Sequence, residues 1–330
     1  MQTTLLLTWA TGYIGSHAVV AFEQAGYKTV IIDNLSNSSK DSLDGIEHIL
    51  WYKPDFFEGD IRDKDFLRSV FSRYAFDGVI HFAGLKAVGE SCTLPLHYHD
   101  NNIGGSIALF QVMEEYSVRK IVFSSSATVY RADNISPLTE DMPLGTTNPY
   151  GTTKLVIEEL LEDLARLGTW SVIPLRYFNP IWAHPSGHIG ELPNGIPNNL
   201  LPYVLDVAIG KRKKVSVYGN DYPTHDGTGV RDYIDVCDLV DAHLAAYKHL
   251  ALWYTPINIW TGKGSSVLDM ISLVEKVTGV TVPYEITARR PWDLATCFSS
   301  ATRARELLGW KATRTLETSL ENGWKFLKNQ

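Results

Sequence analysis

Leu5-Leu6-Leu7-Thr8-Trp9-Ala10-Thr11-Gly12-Tyr13-Ile14-Gly15 takes the chain from an apolar run into a turn of small residues, and Asp33 closes a second apolar run eighteen positions beyond Gly15. A buried strand that turns sharply into a helix, then a second strand ending on a carboxylate, is the outline of a dinucleotide site. The turn brings backbone N–H groups and a helix N-terminus to a pyrophosphate, and the acid receives the ribose hydroxyls of an adenosine. Asp33 would repel a 2′-phosphate, so the pattern points to NAD over NADP. The first position of such a turn asks for glycine, and this chain has Trp9 there.

Around that turn, Thr4–Leu7 and Thr29–Ile32 read as short buried strands, and Ser16–Gln24 as a helix with an apolar stripe at Val19, Val20 and Phe22. Further strands are expected at Gly78–Phe82, Ile121–Ser124 and Ser171–Leu175, with a helix over Asn102–Glu115. Strands alternating with helices predict an α/β fold, a Rossmann-like and mostly parallel sheet covered by helices on both faces, with ligands at the carboxyl ends of the strands. Residues 180–200 are rich in Pro, Gly and Asn and predict an irregular segment wrapped around a site. Beyond it come a helix at 199–210, a strand at Val215–Tyr218, a polar loop at Gly219–Arg231, and helices at 266–278 and 315–327. The chain thus reads as a dinucleotide-binding domain over 1–180 and a smaller α/β domain over 181–330, some of whose elements return to the first.

With 330 residues and 45% apolar composition the chain can bury a sizeable core. Its 30 Lys and Arg against 37 Asp and Glu leave a formal charge of −7, which disfavours a nucleic-acid partner. The basic run Lys211–Lys214 reads as a solvated helix end. Three scattered cysteines, Cys92, Cys237 and Cys297, make neither a disulfide framework nor a thiolate metal site, and the ten histidines form no His-Glu-x-x-His motif, so no metal is expected. No stretch has the length and apolarity of a membrane span, and a cytoplasmic protein is expected.

Tyr150-Gly-Thr-Thr-Lys154 places a phenol and an ammonium on one helical face, where the cation favours a phenolate able to act as a general base. Ser124-Ser125-Ser126 lies at a strand end, and Ser126 offers a hydroxyl between Tyr150 and a substrate oxygen. Asp60-Ile61, after Phe56-Phe57, is placed to border an adenine.

These residues resemble the extended short-chain dehydrogenase/reductase family, and within it the UDP-glucose 4-epimerases. The resemblance rests on TGYIGSH at 11–17, IIDNLSNS at 31–38, EGDIRD at 58–63, HFAGLKAVGES at 81–91, FSSSATVY at 123–130, PYGTTK at 149–154, RYFNP at 176–180, HPSG at 184–187, GIPNNL at 195–200 and GTGVRDYI at 227–234. It implies reversible, NAD-dependent inversion at C4 of UDP-hexoses through a 4-keto sugar, with Tyr150, Lys154 and Ser126 catalytic. It implies NAD held by Gly12, Tyr13, Ile14, Asp33, Asn34, Asn37, Ser38, Asp60, Ile61, Phe82, Ala83, Gly84, Lys86, Asn101 and Phe178, together with Tyr150 and Lys154. It implies a UDP-sugar held by Lys86, Ser126, Tyr150, Asn179, Asn199, Leu200, Val217, Tyr218, Arg231, Arg290, Asp293 and Cys297, the two arginines offering rigid forks to the diphosphate. Cys297 is small where hexose-restricted relatives carry a large aromatic residue, which implies room for an acetamido group. Related dehydratases carry Thr-Asp-Glu where this chain has Ser126-Ala127-Thr128, so elimination chemistry is disfavoured. A homodimer is the family expectation.

Against the family pattern, tryptophan stands where glycine is expected at Trp9, Trp182, Trp260 and Trp292, and where glycine is common at Trp51 and Trp253; Trp170, Trp310 and Trp324 fit. Several of the six are turn positions expected to need positive φ. A decoding difference, UGA read as glycine, accounts for such a pattern; Arg131, also in place of a glycine, falls outside it. Were the tryptophans retained, an inactive nucleotide-sugar-binding homologue is the alternative reading, alongside an epimerase for other UDP-sugars such as pentoses.

Overall fold

Residues 2–177, 179–192, 197, 199–250, 253–290 and 294–329 are described by the computed structural model. The strands, in chain order, are β1 (Thr4–Thr8), β2 (Lys28–Asp33), β3 (Asp55–Glu58), β4 (Phe76–His81), β5 (Lys120–Ser126), β6 (Ser171–Tyr177), β7 (Asn179–Ile181), β8 (Val215–Tyr218), β9 (Val230–Asp235), β10 (Ile257–Asn258), β11 (Gly264–Ser266), β12 (Tyr284–Thr287) and β13 (Thr296–Cys297). A seven-stranded sheet has the order β3-β2-β1-β4-β5-β6-β10, all pairs parallel. Its order reverses between β1 and β4, which opens a crevice at their carboxyl ends, where ligands bind in sheets of this kind.

Alternation along the strands divides the core. Leu5, Leu7, Ile31, Ile80 and Val122 face one side, against Ala18 and Phe22 of the helix Tyr13–Gln24 and Leu239 and Val240 of the helix Val236–Lys248. Leu6, Val30, Ile32, Val79 and Phe123 face the other, against Leu109 and Phe110 of Gly105–Glu115 and Ile157 and Leu161 of Pro149–Arg166. Sequential residues of a strand point to opposite faces, so a near-continuous apolar run is what a doubly covered sheet requires.

The remaining strands form a second sheet, β11-β9-β13 with β7 on β9, and a β8–β12 pair, packed with the helices Leu200–Ala208, Val267–Thr278 and Leu316–Lys328 around a core that includes Val204, Val217, Ile271 and Leu320. The chain crosses back once more, since β10 adds to the edge of the first sheet through β6.

Three expectations need correction. The polar loop after Gly219 ends before Val230: residues Val230–Asp235 are β9, the strand to which β7, β11 and β13 all pair. Arg231 and Asp232 hid it among charges, although Asp232 is itself buried. The segment after Asn179 is not wholly irregular, because Asn179–Ile181 is β7. The helix expected from Asn102 begins as a π-helical stretch, His99–Gly104, before the α-helix Gly105–Glu115.

Candidate active site

The turn after β1 packs so tightly that a Cβ on Gly15 would lie 2.5 Å from the Ala10 Cα and 2.7 Å from the Trp9 carbonyl oxygen. Only glycine lets the helix start so close to the strand. Gly12 is the N-cap of that helix, and no side chain caps it, so its first N–H groups are left for an anion. Asp33 is buried at the end of β2; its carboxylate accepts from the Thr11 N–H (3.1 Å), the Leu35 N–H (2.9 Å) and the Ser38 hydroxyl (3.1 Å). Those bonds tie the acid to the turn while leaving acceptor capacity for ribose hydroxyls. Asn34 donates to Asp60 (2.9 Å), which the Arg62 guanidinium and Asn34 hold at about 2 despite its burial. Ile61 is buried, and Phe82, Ala83 and Gly84 follow β4 across the crevice from the turn. These features fit a dinucleotide; Trp9, its indole packed against the cluster that holds Ile61 and Ala83, is the one residue of the turn that does not.

Tyr13 and Ile14 open the helix, but the Tyr13 hydroxyl is buried without a partner, and its pKa is raised well above the ordinary value by burial and by Glu191, Asp235 and Cys237. Its backbone, not its phenol, faces the turn. Asn37 is exposed in the loop after β2, and Asn101 is buried and donates to Asn102 (3.0 Å).

Pro149 starts the helix Pro149–Arg166, and the Asn148 side chain caps it through the Gly151 N–H (2.9 Å). A Cβ on Gly151 would lie 2.9 Å from the Thr128 carbonyl oxygen. That close approach sets Tyr150 beside Ser126, which ends β5 and caps the short turn Ala127–Val129 by accepting from the Thr128 N–H (3.2 Å). Lys154, one turn along and buried, donates to the Ser124 carbonyl (2.7 Å) and lies over the Phe123 ring.

The electrostatics differ from expectation. Burial pushes the Tyr150 phenol up to about 12, with the Ser126 hydroxyl acting in the opposite sense, and burial brings Lys154 down to about 7, with Glu158 acting against it. A low-dielectric site penalises both charged forms, and the ammonium is turned to the Ser124 carbonyl. The phenol pKa is therefore not lowered here, as spacing alone implied.

On the substrate side, Asn179 in β7 donates to the Asp232 carbonyl (3.2 Å) and Asn199 to Glu191 (3.1 Å), while Leu200 begins the next helix. Lys86 also reaches Glu191 (3.4 Å), so Lys86 and Asn199 meet on one carboxylate. Val217 is buried in β8 and Tyr218 is half exposed beneath the Arg290 guanidinium, 5.0 Å from the ring centre. Cys297 pairs in register with Arg231 and is buried beside Ala127, Val129 and Trp260. Burial pushes its thiol up to about 11. Phe178, Asp293 and Trp292 lie outside the described residues.

A family model described as the NAD dependent epimerase/dehydratase family matches residues 5–259. The chain belongs to that family. In this epimerase/dehydratase chain, 325 residues are 52% identical to a UDP-glucose 4-epimerase of Bacillus subtilis, covering 98% of this chain and 96% of the relative. A UDP-glucose-4-epimerase structure from Stenotrophomonas maltophila, with bound NAD and formylated UDP-arabinopyranose, superposes with a TM-score of 0.97 at 46% identity, over 99% of this chain and 98% of that one. One from Bifidobacterium longum, in complex with NAD+ and UDP, gives 0.95 at 45% identity over 99% of both chains.

Several residues of this family member's site escaped the sequence reading. Asn102, in the π-helical stretch, accepts from the Leu85 N–H (2.8 Å) and donates to the Leu85 carbonyl (3.0 Å) and Thr153 (2.9 Å), clamping the loop after β4 to the helix of Tyr150. Beneath it runs a buried polar chain in which His81 contacts Thr8 and Ser106 (2.9 Å each). Glu158, one turn beyond Lys154, forms a buried ion pair with Arg176 (2.6 Å) and receives the Ser125 hydroxyl. The Asn101-Asn102 pair and the buried acid at i+4 from Lys154 were the available signals. Among the described residues one metal-ligating group comes together, His225, Asp226 and Asp269, but Asp226 is engaged by Thr228 and Ser266, and Asp269 by the Ser266 N–H in a helix capping box.

Proposed function

We propose that this chain is an NAD-dependent UDP-hexose 4-epimerase that interconverts UDP-glucose and UDP-galactose through a 4-keto sugar. The convergence of Tyr150, Lys154 and Ser126 at the carboxyl end of β5, beside the crevice between β1 and β4, carries this reading. Bound NAD would supply reversible acceptance of hydride at the sugar C4. We assign its holding to the backbone of Gly12–Ile14 and to Asp33, Asn34, Asn37, Ser38, Asp60, Ile61, Phe82–Gly84, Lys86 and Asn101.

Tyr150 takes the C4 hydroxyl proton, directly or through Ser126, and returns it when the ketone is reduced on its other face. Burial disfavours phenolate and ammonium alike; Lys154, one turn along the helix from Tyr150, favours the phenolate when it carries its proton. Arg231 and Arg290 hold the diphosphate, and Asn179, Asn199, Leu200, Val217 and Tyr218 hold the nucleoside and sugar. The anchored nucleotide lets the ketohexose turn while it stays in the site. Incubating the purified enzyme with UDP-galactose deuterated at C4 tests this: UDP-glucose that keeps the deuterium at C4 supports it, and loss of the label to solvent overturns it.

The small, buried Cys297, beside Ala127 next to the catalytic serine, supports acceptance of UDP-GlcNAc and UDP-GalNAc as well; no turnover of UDP-GlcNAc by an enzyme active on UDP-galactose would end that extension. The formylated UDP-arabinopyranose bound to the Stenotrophomonas relative supports a second reading, a wider range that includes UDP-pentoses, which a substrate panel decides. A cytoplasmic homodimer is the assembly we propose on family grounds, measured by sedimentation. No described helix is long and apolar enough to cross a membrane.

A further inference from the structure

Among the described residues five that are not glycine have positive φ: Trp9 (54°), Leu35 (57°), Trp51 (67°), Ser117 (57°) and Trp182 (79°). Tryptophan fills 9 of the 330 positions, yet supplies three of these five. In this region the Cβ of an L residue crowds its own backbone, which glycine avoids.

Each of the three positions has its own reason to need glycine. Trp51 ends the helix Asp41–Leu50 in the left-handed conformation, its N–H bonded to the Glu47 carbonyl. The helices Val267–Thr278 and Thr302–Leu308 end in the same conformation, at φ 71° and 62°, on Gly279 and Gly309. The Trp51 side chain is 89% exposed, so burial does nothing to offset its strain. Trp182 is buried with its indole N–H unpartnered, and its ring lies where a Cβ on Gly323 would approach to 2.4 Å. Trp9 stands at the strand-to-helix turn, where a bare backbone is what a pyrophosphate approaches.

The tryptophans that fit their surroundings behave differently. Trp170 donates to Glu114 (2.9 Å) and Trp310 to the Asp238 carbonyl (3.1 Å), and neither has positive φ. Trp253 and Trp260 also lack it, and Trp260 donates to the Arg176 carbonyl (3.0 Å). The backbone therefore separates 9, 51 and 182 from the other described tryptophans.

We infer that the enzyme made in its own cells carries glycine at 9, 51 and 182, inserted at UGA codons, while 170 and 310 are tryptophan from UGG. This rests on backbone geometry and not on the assigned reaction. Peptide mass spectrometry of the enzyme purified from its native cells, read beside the coding DNA, decides it. Glycine at all three positions over UGA supports it, and tryptophan there over UGG overturns it. Two recombinant chains, one with tryptophan at the three positions and one carrying Trp9→Gly, Trp51→Gly and Trp182→Gly, give a readout independent of turnover. The glycine chain is expected to melt several degrees higher and to retain NAD through purification; an equal or lower melting temperature with equal NAD retention counts against it. A tryptophan chain that does not fold falls on the supporting side.

Discussion

At the scale of single residues, the Tyr150–Lys154 pair divides what spacing shows from what burial decides. The i, i+4 relation put both groups on one face, and the structure keeps them there. Spacing carried no account of solvent, and exclusion of water reverses the expected shift of the phenol. Tyr150→Phe removes the proton acceptor, so kcat is expected to fall by about 10²- to 10⁴-fold, with NAD retention and melting temperature near wild type; a kcat within a few-fold of wild type in a substrate-saturation assay would sink the role. Lys154 gives a stability prediction. Its folded pKa lies near 7, below the free-lysine value, so between those pH values the unfolded chain binds a proton that the folded chain does not. Stability then rises with pH across that window, and below about 7 the penalty is constant and at its largest. Cofactor-free Lys154→Met is expected to exceed the wild type by a few kcal/mol at pH 7, and the gap to narrow by pH 9. Urea midpoints of the two proteins that differ equally at both pH values would refute it.

At the scale of elements, the helix Pro149–Arg166 is positioned by contacts that its sequence only half reveals. Pro149 and Asn148 announce its start by known end preferences. Nothing in the local sequence says that Gly151 must meet the Thr128 carbonyl, because that contact joins two segments brought together by the sheet. The same holds for Asn102, whose partners Leu85 and Thr153 lie far off in the chain. Five of the seven strands of the first sheet were legible because residues buried on both faces make apolar runs such as Leu5–Leu7, whereas the short β3 and β10 make no such run, and β9 has Arg231 and Asp232 side by side after Val230, so its start read as loop. Gly151→Ala tests the positioning. The added methyl favours the helix by propensity but forces its first turn from Ser126, so kcat is expected to fall on the order of 10- to 10²-fold with melting temperature unchanged or raised. Unchanged kcat would show that the helix start adjusts without disturbing the site.

For the whole molecule, three buried histidines around the first sheet tie the fold to pH. His17 on the first helix and His243 on Val236–Lys248 face the sheet from one side, and His81 ends β4; burial lowers them to about 3, 4 and 3 respectively. A histidine kept neutral in the folded state and free to charge when unfolded favours unfolding as pH falls below its ordinary value near 6.5, and continues to do so down to its folded pKa. At pH 5 each contributes about 2 kcal/mol of lost stability relative to pH 7. Asp232 acts in the opposite sense, since burial raises it to about 6 and its protonation in the folded state recovers a part of that loss. The net loss of several kcal/mol is a large share of the 5–15 kcal/mol typical of folded domains, so the enzyme is expected to unfold between pH 6 and 4, the loss of stability beginning above the range where surface carboxylates protonate. The urea midpoint should drop steeply from pH 7 to pH 5, and His243→Leu, which replaces one of the three with a group that cannot charge, should make that drop shallower; a midpoint that does not move over this range would mean that these imidazoles reach solvent or a counter-charge.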